Sequence, residues 1–356
     1  MKVLLVGHSY MTDIAQKKLE ELGKKVDLYL LTPKKWRHTL GLYEFKKRGK
    51  GFKPIVKSVR FSGNNSLYTF PGFSDIVKKV EPDIIHVEEE PWSRVALQAA
   101  KIGKKLIVFT WENIYKNLNF PFSKIEKNVL KNVSCVIAGN KEAGKIIKKK
   151  GYEGRIKIIP QFGIDTDFFY KSGRKKKGFT IGFVGRLVKE KGLLVLMDAA
   201  KKIKGNFRLL FVGDGNLKNS LNRIAKRDKI KIRIIGTVPH SKVRDYLNKM
   251  DCLVLPSLTT KKWKEQFGQV LAEAMACEVP VIGSDSGAIP EVVGNSGLVF
   301  REGDSSELAK KIKYLMNNSK ARTSLGKKGR MRVLRNYTNR KIADETYKIY
   351  KALVKR

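Results

Sequence analysis

The chain alternates short apolar runs with longer amphipathic stretches, and it does so twice. Lys2–Gly7, Val26–Leu31, Asp83–Val87, Lys105–Phe109 and Ser134–Ala138 are Val/Ile/Leu-rich runs of strand length. Thr12–Leu22, Ser93–Ile102 and Lys124–Lys131, between them, carry helical periodicity. Strands buried on both faces read as continuous apolar runs, so the pattern predicts a parallel sheet covered by helices on both sides. It pauses over Pro160–Lys177, where Gly, Asp and Ser accumulate with the basic run Arg174–Lys177, and then restarts. Phe179–Gly185, Phe207–Gly213, Lys231–Ile235, Asp251–Pro256 and Pro280–Gly283 are the second set of strands. Two such arrays predict an α/β protein of two doubly wound, Rossmann-like domains facing one another across a cleft. The tail, Asn339–Lys355, is helical by periodicity and is expected to cross back to the first domain. The expected division is 1–165 plus 339–356 for the first domain and 166–338 for the second.

A length of 356 residues suits two domains of ordinary size. Lys and Arg number 74 against 33 acids, a formal net charge of +41, and the excess is spread over both halves. That excludes an acidic solvating chain and calls for anionic partners. No apolar run approaches a membrane span, and the opening run is too short for a signal peptide. Cys135, Cys252 and Cys277 stand among apolar or small residues without Cys/His spacing, which predicts buried free thiols in a reducing cytoplasm and no zinc site.

Three motifs sit at predicted strand ends, where sheets of this kind bind ligands. In Gly185-Arg186-Leu187-Val188-Lys189-Glu190-Lys191-Gly192, the glycines permit close backbone approach, and Arg186 and Lys191 offer a forked donor and a point charge for a diphosphate. The other reading is a solvated basic turn; the strand-end position favours the diphosphate. In Glu265-Gln-Phe-Gly-Gln-Val-Leu-Ala-Glu273, Gly268 marks a helix start. Backbone N–H groups from Gly268 through Gln269 to Val270 would then face a phosphate. Carboxylates suit polyhydroxylated ligands, but by helical wheel alone a solvated face for Glu273 and a loop cap for Glu265 read slightly better. Gly213-Asp214-Gly215 falls short of a dinucleotide fingerprint, because Lys218 stands at the third glycine and Ile235-Gly236 where the acid belongs. Asp165-Thr166-Asp167 has the look of a metal motif but sits in turn-rich chain, so no metal is assigned.

Taken in order, Gly-Arg-x4-Lys-Gly, Val-Gly-Asp-Gly, Pro-Ser, Glu-x7-Glu, Pro-Val-Ile-Gly-Ser and Gly-Ala-Ile-Pro-Glu291 resemble the donor domain of family-four retaining glycosyltransferases with the GT-B fold. The resemblance covers the whole second domain, and Pro160-Gln-Phe-Gly-Ile-Asp165 is similar to the family's linker signature. It implies Arg186 and Lys191 on the donor diphosphate, Glu273 on the ribose hydroxyls, Glu265, Phe267 and Gly268 on the donor sugar, and the base against backbone near Val238. The co-substrate implied is a nucleotide diphosphate sugar, UDP or GDP, with no further cofactor.

The first domain departs from the family pattern. Gly7 is followed by His8-Ser9-Tyr10, and Asp83-Ile-Ile-His86-Val-Glu88 keeps one histidine and has Glu88 for the next. Thr110-Trp111-Glu112-Asn113 stands where a histidine usually approaches the sugar. Glu112 is therefore expected to act catalytically with Glu265, by stabilising charge at the anomeric carbon or attacking it; the other reading makes it a plain hydrogen-bond acceptor. His8, His86, Glu88 and Trp111 are the acceptor-side candidates.

Lys34 to Arg60 holds ten basic residues and one acid, Glu44, interleaved with Trp36, Tyr43, Phe45 and Phe52, and Lys46-Lys47-Arg48 is its densest point. This reads as a solvated loop or as a patch touching an anionic membrane. The expectation is a cytoplasmic transferase, peripheral on the membrane's cytoplasmic face, acting on a lipid-linked or glycan acceptor, with no specific nucleic acid. The rivals are a nucleotide-sugar epimerase of the same fold and a basic nucleic-acid-binding protein.

Overall fold

The apolar run that opens the chain forms β1 (Lys2–Val6), and its side chains divide between two cores. Leu4 and Val6 join one cluster, Val3 and Leu5 another, because successive side chains of a strand point to opposite faces. The computed structural model describes residues 1–38, 41–173 and 178–355. The chain divides into Met1–Gly163 with Asn339–Arg356, and Ile164–Thr338. The basic run Arg174–Lys177, read as part of the boundary, lies outside the described residues.

In the first unit β1 is followed by β2 (Asp27–Pro33), β3 (Lys35–His38), β4 (Gly41–Glu44), β5 (Phe52–Lys57), β6 (Ile84–Val87), β7 (Lys105–Thr110), β8 (Cys135–Ala138) and β9 (Arg155–Ile158). Seven of them form one sheet in the order β5-β2-β1-β6-β7-β8-β9, every neighbouring pair parallel. The crossovers are α1 (Asp13–Gly23), α2 (Phe73–Val80), α3 (Arg94–Ala100), α4 (Phe122–Asn132) and α5 (Lys141–Lys149). β3 and β4 stand apart as a two-stranded antiparallel ribbon.

The second unit repeats the plan with β10 (Phe179–Val184), β11 (Phe207–Val212), β12 (Ile232–Ile234), β13 (Cys252–Leu255), β14 (Val281–Ser284) and β15 (Leu298–Phe300). These form a parallel sheet in the order β12-β11-β10-β13-β14-β15. Its helices are α6 (Leu193–Lys201), α7 (Lys218–Arg227), α8 (His240–Leu247), α9 (Gln269–Ala276), α10 (Ile289–Val293), α11 (Ser305–Asn317) and α12 (Ser319–Asn336). In both sheets the strand order reverses beside the first strand, the switch point at which such sheets bind ligands.

The last helix, α13 (Asn339–Val354), belongs to the first unit. Ile342, Ala343, Ile349 and Tyr350 fill the cluster holding Val3 and Leu5, and Lys25 pairs with Asp344 at 2.6 Å. All three cysteines are buried free thiols.

Candidate active site

The second unit's candidate residues gather at the carboxyl end of its sheet. Backbone bonds stitch the loops there together: Gly185 N–H donates to Val212 O (2.9 Å), Gly213 N–H to Gly236 O (2.8 Å) and Leu187 N–H to Asp214 O (2.8 Å). Gly213 has a positive φ of 139°, and a Cβ on it would lie 2.0 Å from Gly185 O. The glycines of Gly213-Asp214-Gly215 thus serve loop-to-loop packing. Gly192 does the same for the loop after β13: φ is 67° and a Cβ would meet Pro256 O at 1.7 Å.

That packing delivers Lys191 to Glu265. Lys191 Nζ lies 2.7 Å from Glu265 Oε2, which also accepts the Ser257 hydroxyl at 2.8 Å. Ser257 is fixed in turn through its carbonyl, which accepts the Ser284 hydroxyl at 2.6 Å. The Lys191 ammonium also sits 4.6 Å from the centre of the Trp263 ring. Arg186 behaves differently: its side chain is 66% exposed against 16% for Lys191, and its nearest acid, Glu190, is 3.8 Å away. One cation is held closely and the other is exposed.

Gly268 precedes α9, whose first residues are Gln269 and Val270, so the helix opens beside Glu265 in sequence, as the glycine suggests. Two turns of sequence from Glu265, Glu273 is buried within α9. His240 Nε2 and Gln269 Nε2 both bond its Oε1, each at 2.8 Å. Both partners go to Oε1, and among the described residues no hydrogen bond reaches Oε2. The solvated-face reading of Glu273 fails on this burial. Val238, partly buried, packs on the same core just before α8, and Phe267 stacks edge-on against Tyr337 at 5.5 Å. The Asp165 carboxylate accepts the N–H groups of Asp167 and Phe168, each at 3.1 Å, which is turn chemistry.

In the first unit the acidic segment after β6 is the organising feature. His86 faces the α13 side, as alternation from Ile84 requires. It is fully buried, with Nδ1 2.7 Å from the Tyr350 hydroxyl. Burial, opposed by the Glu88 charge, lowers its pKa to about 4. Glu88 is also buried, accepting from Tyr10 (2.6 Å) and pairing with Lys18. Burial works against its charge, but the Lys18 ammonium and then His86 prevail and hold the carboxyl below its ordinary range. Both were expected on the acceptor side; both are interior groups instead. His8 does keep an open edge. Its Nδ1 lies 2.6 Å from Glu89 Oε1, an oxygen shared with the Tyr68 hydroxyl (2.7 Å), and its ring stacks on Trp36 at 4.4 Å.

Glu90 accepts the Thr110 hydroxyl at 2.6 Å and the Trp111 N–H at 2.9 Å. Burial outweighs these bonds and pushes its carboxyl up to about 7. The Trp111 indole N–H donates to Gln161 at 2.9 Å. Glu112 is buried in an ion pair: Oε2 takes Lys150 Nζ at 2.6 Å and Oε1 accepts the Lys116 N–H at 3.2 Å. Lys150 holds Glu126 as well, at 2.7 Å. Glu112, expected to act catalytically, is thus buried and shares a single lysine with Glu126.

Two family models divide the chain between them: Glycosyltransferase Family 4 matches residues 11–168 and Glycosyl transferases group 1 matches residues 164–332. The chain belongs to the family-four GT-B glycosyltransferases. An uncharacterised glycosyltransferase of Methanocaldococcus jannaschii is 34% identical over 176 residues, 49% of this chain and 47% of that one. The capsular polysaccharide biosynthesis glycosyltransferase CapM of Staphylococcus aureus is 34% identical over 183 residues, 50% and 47% of the two chains. The chain thus spans about half the length of these curated relatives. Among solved structures, Anabaena HepE in complex with UDP superposes with a TM-score of 0.74 at 18% identity, over 99% of this chain and 100% of that one, a likeness of fold.

For a family-four glycosyltransferase the second unit keeps its motif residues together, whereas the first unit redistributes them. Sequence reasoning missed Ser257 and Trp263 around Lys191, and Glu89, Tyr68 and Trp36 around His8. It also missed Lys150, one lysine among many in α5 and its flank. The Ser257 signal was present, since Pro-Ser at a strand end is part of the motif order; nothing local distinguishes Lys150.

Proposed function

We propose that this protein transfers a sugar from a nucleotide diphosphate sugar to a hydroxyl of a glycan or lipid-linked acceptor, with retention at the anomeric carbon. The observation that carries the reading is the ready-made polar set of Lys191, Glu265 and Ser257 beside the start of α9, with Glu273 held for a diol further along the helix. Arg186, Lys191 and the first N–H groups of α9, at Gly268, Gln269 and Val270, would take the diphosphate. Glu265 accepts a sugar hydroxyl next to Phe267, and Glu273 Oε2 accepts from the ribose while His240 and Gln269 fix its partner oxygen. The base would rest on backbone near Val238. UDP is the favoured nucleotide, supported by its presence in the complex of the structurally similar Anabaena HepE.

In the step itself the acceptor oxygen bonds to the anomeric carbon and the bond from that carbon to the diphosphate breaks. The acceptor proton passes to the departing phosphate. Charge grows on the diphosphate as it leaves, so groups aimed at it lower the barrier. Cationic side chains offset that negative charge in this reading, with no metal or further cofactor called for. Glu112, neutralised by Lys150, is assigned to positioning the loop after β7, and His8 with Trp111 remains on the acceptor side. The test is a screen of UDP, GDP and ADP by thermal shift, followed by a transfer assay with the sugar nucleotide of the best one. A ligand at 100 times its Kd stabilises by about 2.7 kcal/mol. Epimerised donor without acceptor consumption would replace transfer by epimerisation, and no shift with any nucleotide would end the reading.

A further inference from the structure

Beside β5 the ribbon of β3 and β4 borders an open hollow of about 580 Å³ lined by Lys34, Lys35, Arg37, Leu42, Ser58, Val59 and Ser62. Small-molecule sites typically measure about 300–1,000 Å³. Alternation along β3 explains the lining. Trp36 turns inward, 4% exposed and stacked on His8, which sends Lys35 and Arg37 to the opposite face. Leu42 is the cross-strand partner of Arg37, so it shares that face, 63% exposed. The ribbon is anchored by backbone: Lys34 N–H donates to Lys57 O at 2.7 Å and Phe45 N–H to Lys34 O at 3.0 Å. Ser62 bonds both strand residues, donating to Lys35 O at 2.9 Å and accepting the Arg37 N–H at 3.3 Å.

Three cations thus line a hollow that no carboxylate lines, and among the described residues none of the ion pairs involves Lys34, Lys35 or Arg37. Like charges held this close without a counter-charge favour an anion. The exposed leucine at the rim tells one anion from another. Free phosphate and nucleic acid gain nothing from it, whereas at a lipid surface it enters the apolar layer while the basic residues meet headgroups. No helix among the described residues is long and apolar enough to cross a membrane, so attachment there would be peripheral. The denser run Lys46-Lys47-Arg48 does not line the hollow: its backbone is tied to Gln16 of α1, through Lys46 O at 2.9 Å and Arg48 N–H at 2.9 Å.

We propose that this hollow binds the phosphate of an anionic phospholipid headgroup, docking the first unit on a membrane with Leu42 in the interface. The inference goes beyond sugar transfer and does not need it. It is tested by flotation of the intact protein, without sugar nucleotide, on vesicles of phosphatidylcholine alone or mixed with phosphatidylglycerol. Binding is expected only to the mixed vesicles. Neutralising Lys34, Lys35 and Arg37 together to Gln should weaken it roughly tenfold or more, since each basic residue at such a surface counts severalfold. The same three charges removed at Lys46, Lys47 and Arg48 should cost less, and Leu42→Asn should weaken binding severalfold in the parent background. Thermal melts of the ligand-free variants, matching the parent's, report that each keeps its fold. Equal losses for the two charge triples would reveal a diffuse field and overturn the proposal, as would equal binding to both vesicle types. Release from vesicles by glycerol phosphate at matched phosphate concentration would overturn it in favour of the free anion.

Discussion

Glu112 and Lys191 are both charges held by an opposite partner, yet different outcomes follow from removing them. Lys191 sits beside Glu265 and Ser257, and Arg186 is exposed nearby in the same loop. On the proposed reading, Arg186→Ala and Lys191→Ala would each delete a charge-assisted hydrogen bond to the leaving diphosphate, about 1.5–3 kcal/mol. Turnover should fall at least roughly tenfold with the melting temperature little changed for Arg186→Ala; steady-state kinetics with a thermal melt checks it. Glu112→Gln instead weakens a buried ion pair. Breaking such a pair outright costs about 3–5 kcal/mol, but Lys150 retains Glu126, so about 2 kcal/mol is expected, with turnover within a few-fold of the parent. Lost turnover at unchanged stability would return Glu112 to a catalytic role. The placement of a side chain was legible where a motif and a strand end coincide, as at Lys191, which meets Glu265. It was not legible where a carboxylate's partner comes from a distant helix, because Lys150 is 38 residues from Glu112 and carries no local mark.

The segment from β6 to the end of α13 ties strands to helices through buried titratable groups, so stability of the first unit depends on pH in two opposing ways. Glu90 has its folded value pushed up to about 7 from an ordinary 4.5. The folded state holds the proton more tightly, so its contribution is full below about pH 4.5 and is lost as pH rises through 7. His86 is held at about 4 against an ordinary 6.5; its contribution is full above 6.5 and is lost as pH falls through 4. Glu90→Gln should therefore flatten the decline between pH 4.5 and 7, by about 3 kcal/mol at most. Urea unfolding at several pH values measures this, and an unchanged slope would contradict it. Tyr350→Phe removes the hydroxyl beside His86 Nδ1 and should cost about 1–3 kcal/mol. Central strands such as β1 and β6 were plain in the sequence because both faces are buried. The edge strands β5 and β9 were not: Phe52–Lys57 is interrupted by Lys53 and Pro54 and ends on Lys57, and Arg155–Ile158 is half charged. A solvated edge erases the continuous apolar signature that marks a buried strand.

Across the whole molecule the net charge of +41 makes retention on any polyanion an uninformative observation. Two parallel sheets with matching switch points explain why the doubly wound plan was readable from strand and helix spacing alone, and each unit carries one half of the family signature. The charge pattern is less uniform than composition suggests: Lys34, Lys35 and Arg37 line a hollow while Lys46 to Arg48 follow a loop strapped to α1. Raising salt should therefore release the protein from polyanions without abolishing nucleotide binding in the second unit, where held side chains and backbone N–H groups are screened less than surface charge. The most direct measurement is calorimetric titration of UDP and its sugar nucleotides into the parent protein and into Arg186→Ala/Lys191→Ala at moderate and high salt. Expected is saturable, one-to-one binding that survives the salt and weakens at least roughly tenfold in the double variant. Absence of saturable binding for any nucleotide diphosphate, or equal affinity in parent and variant, would contradict the donor-site assignment.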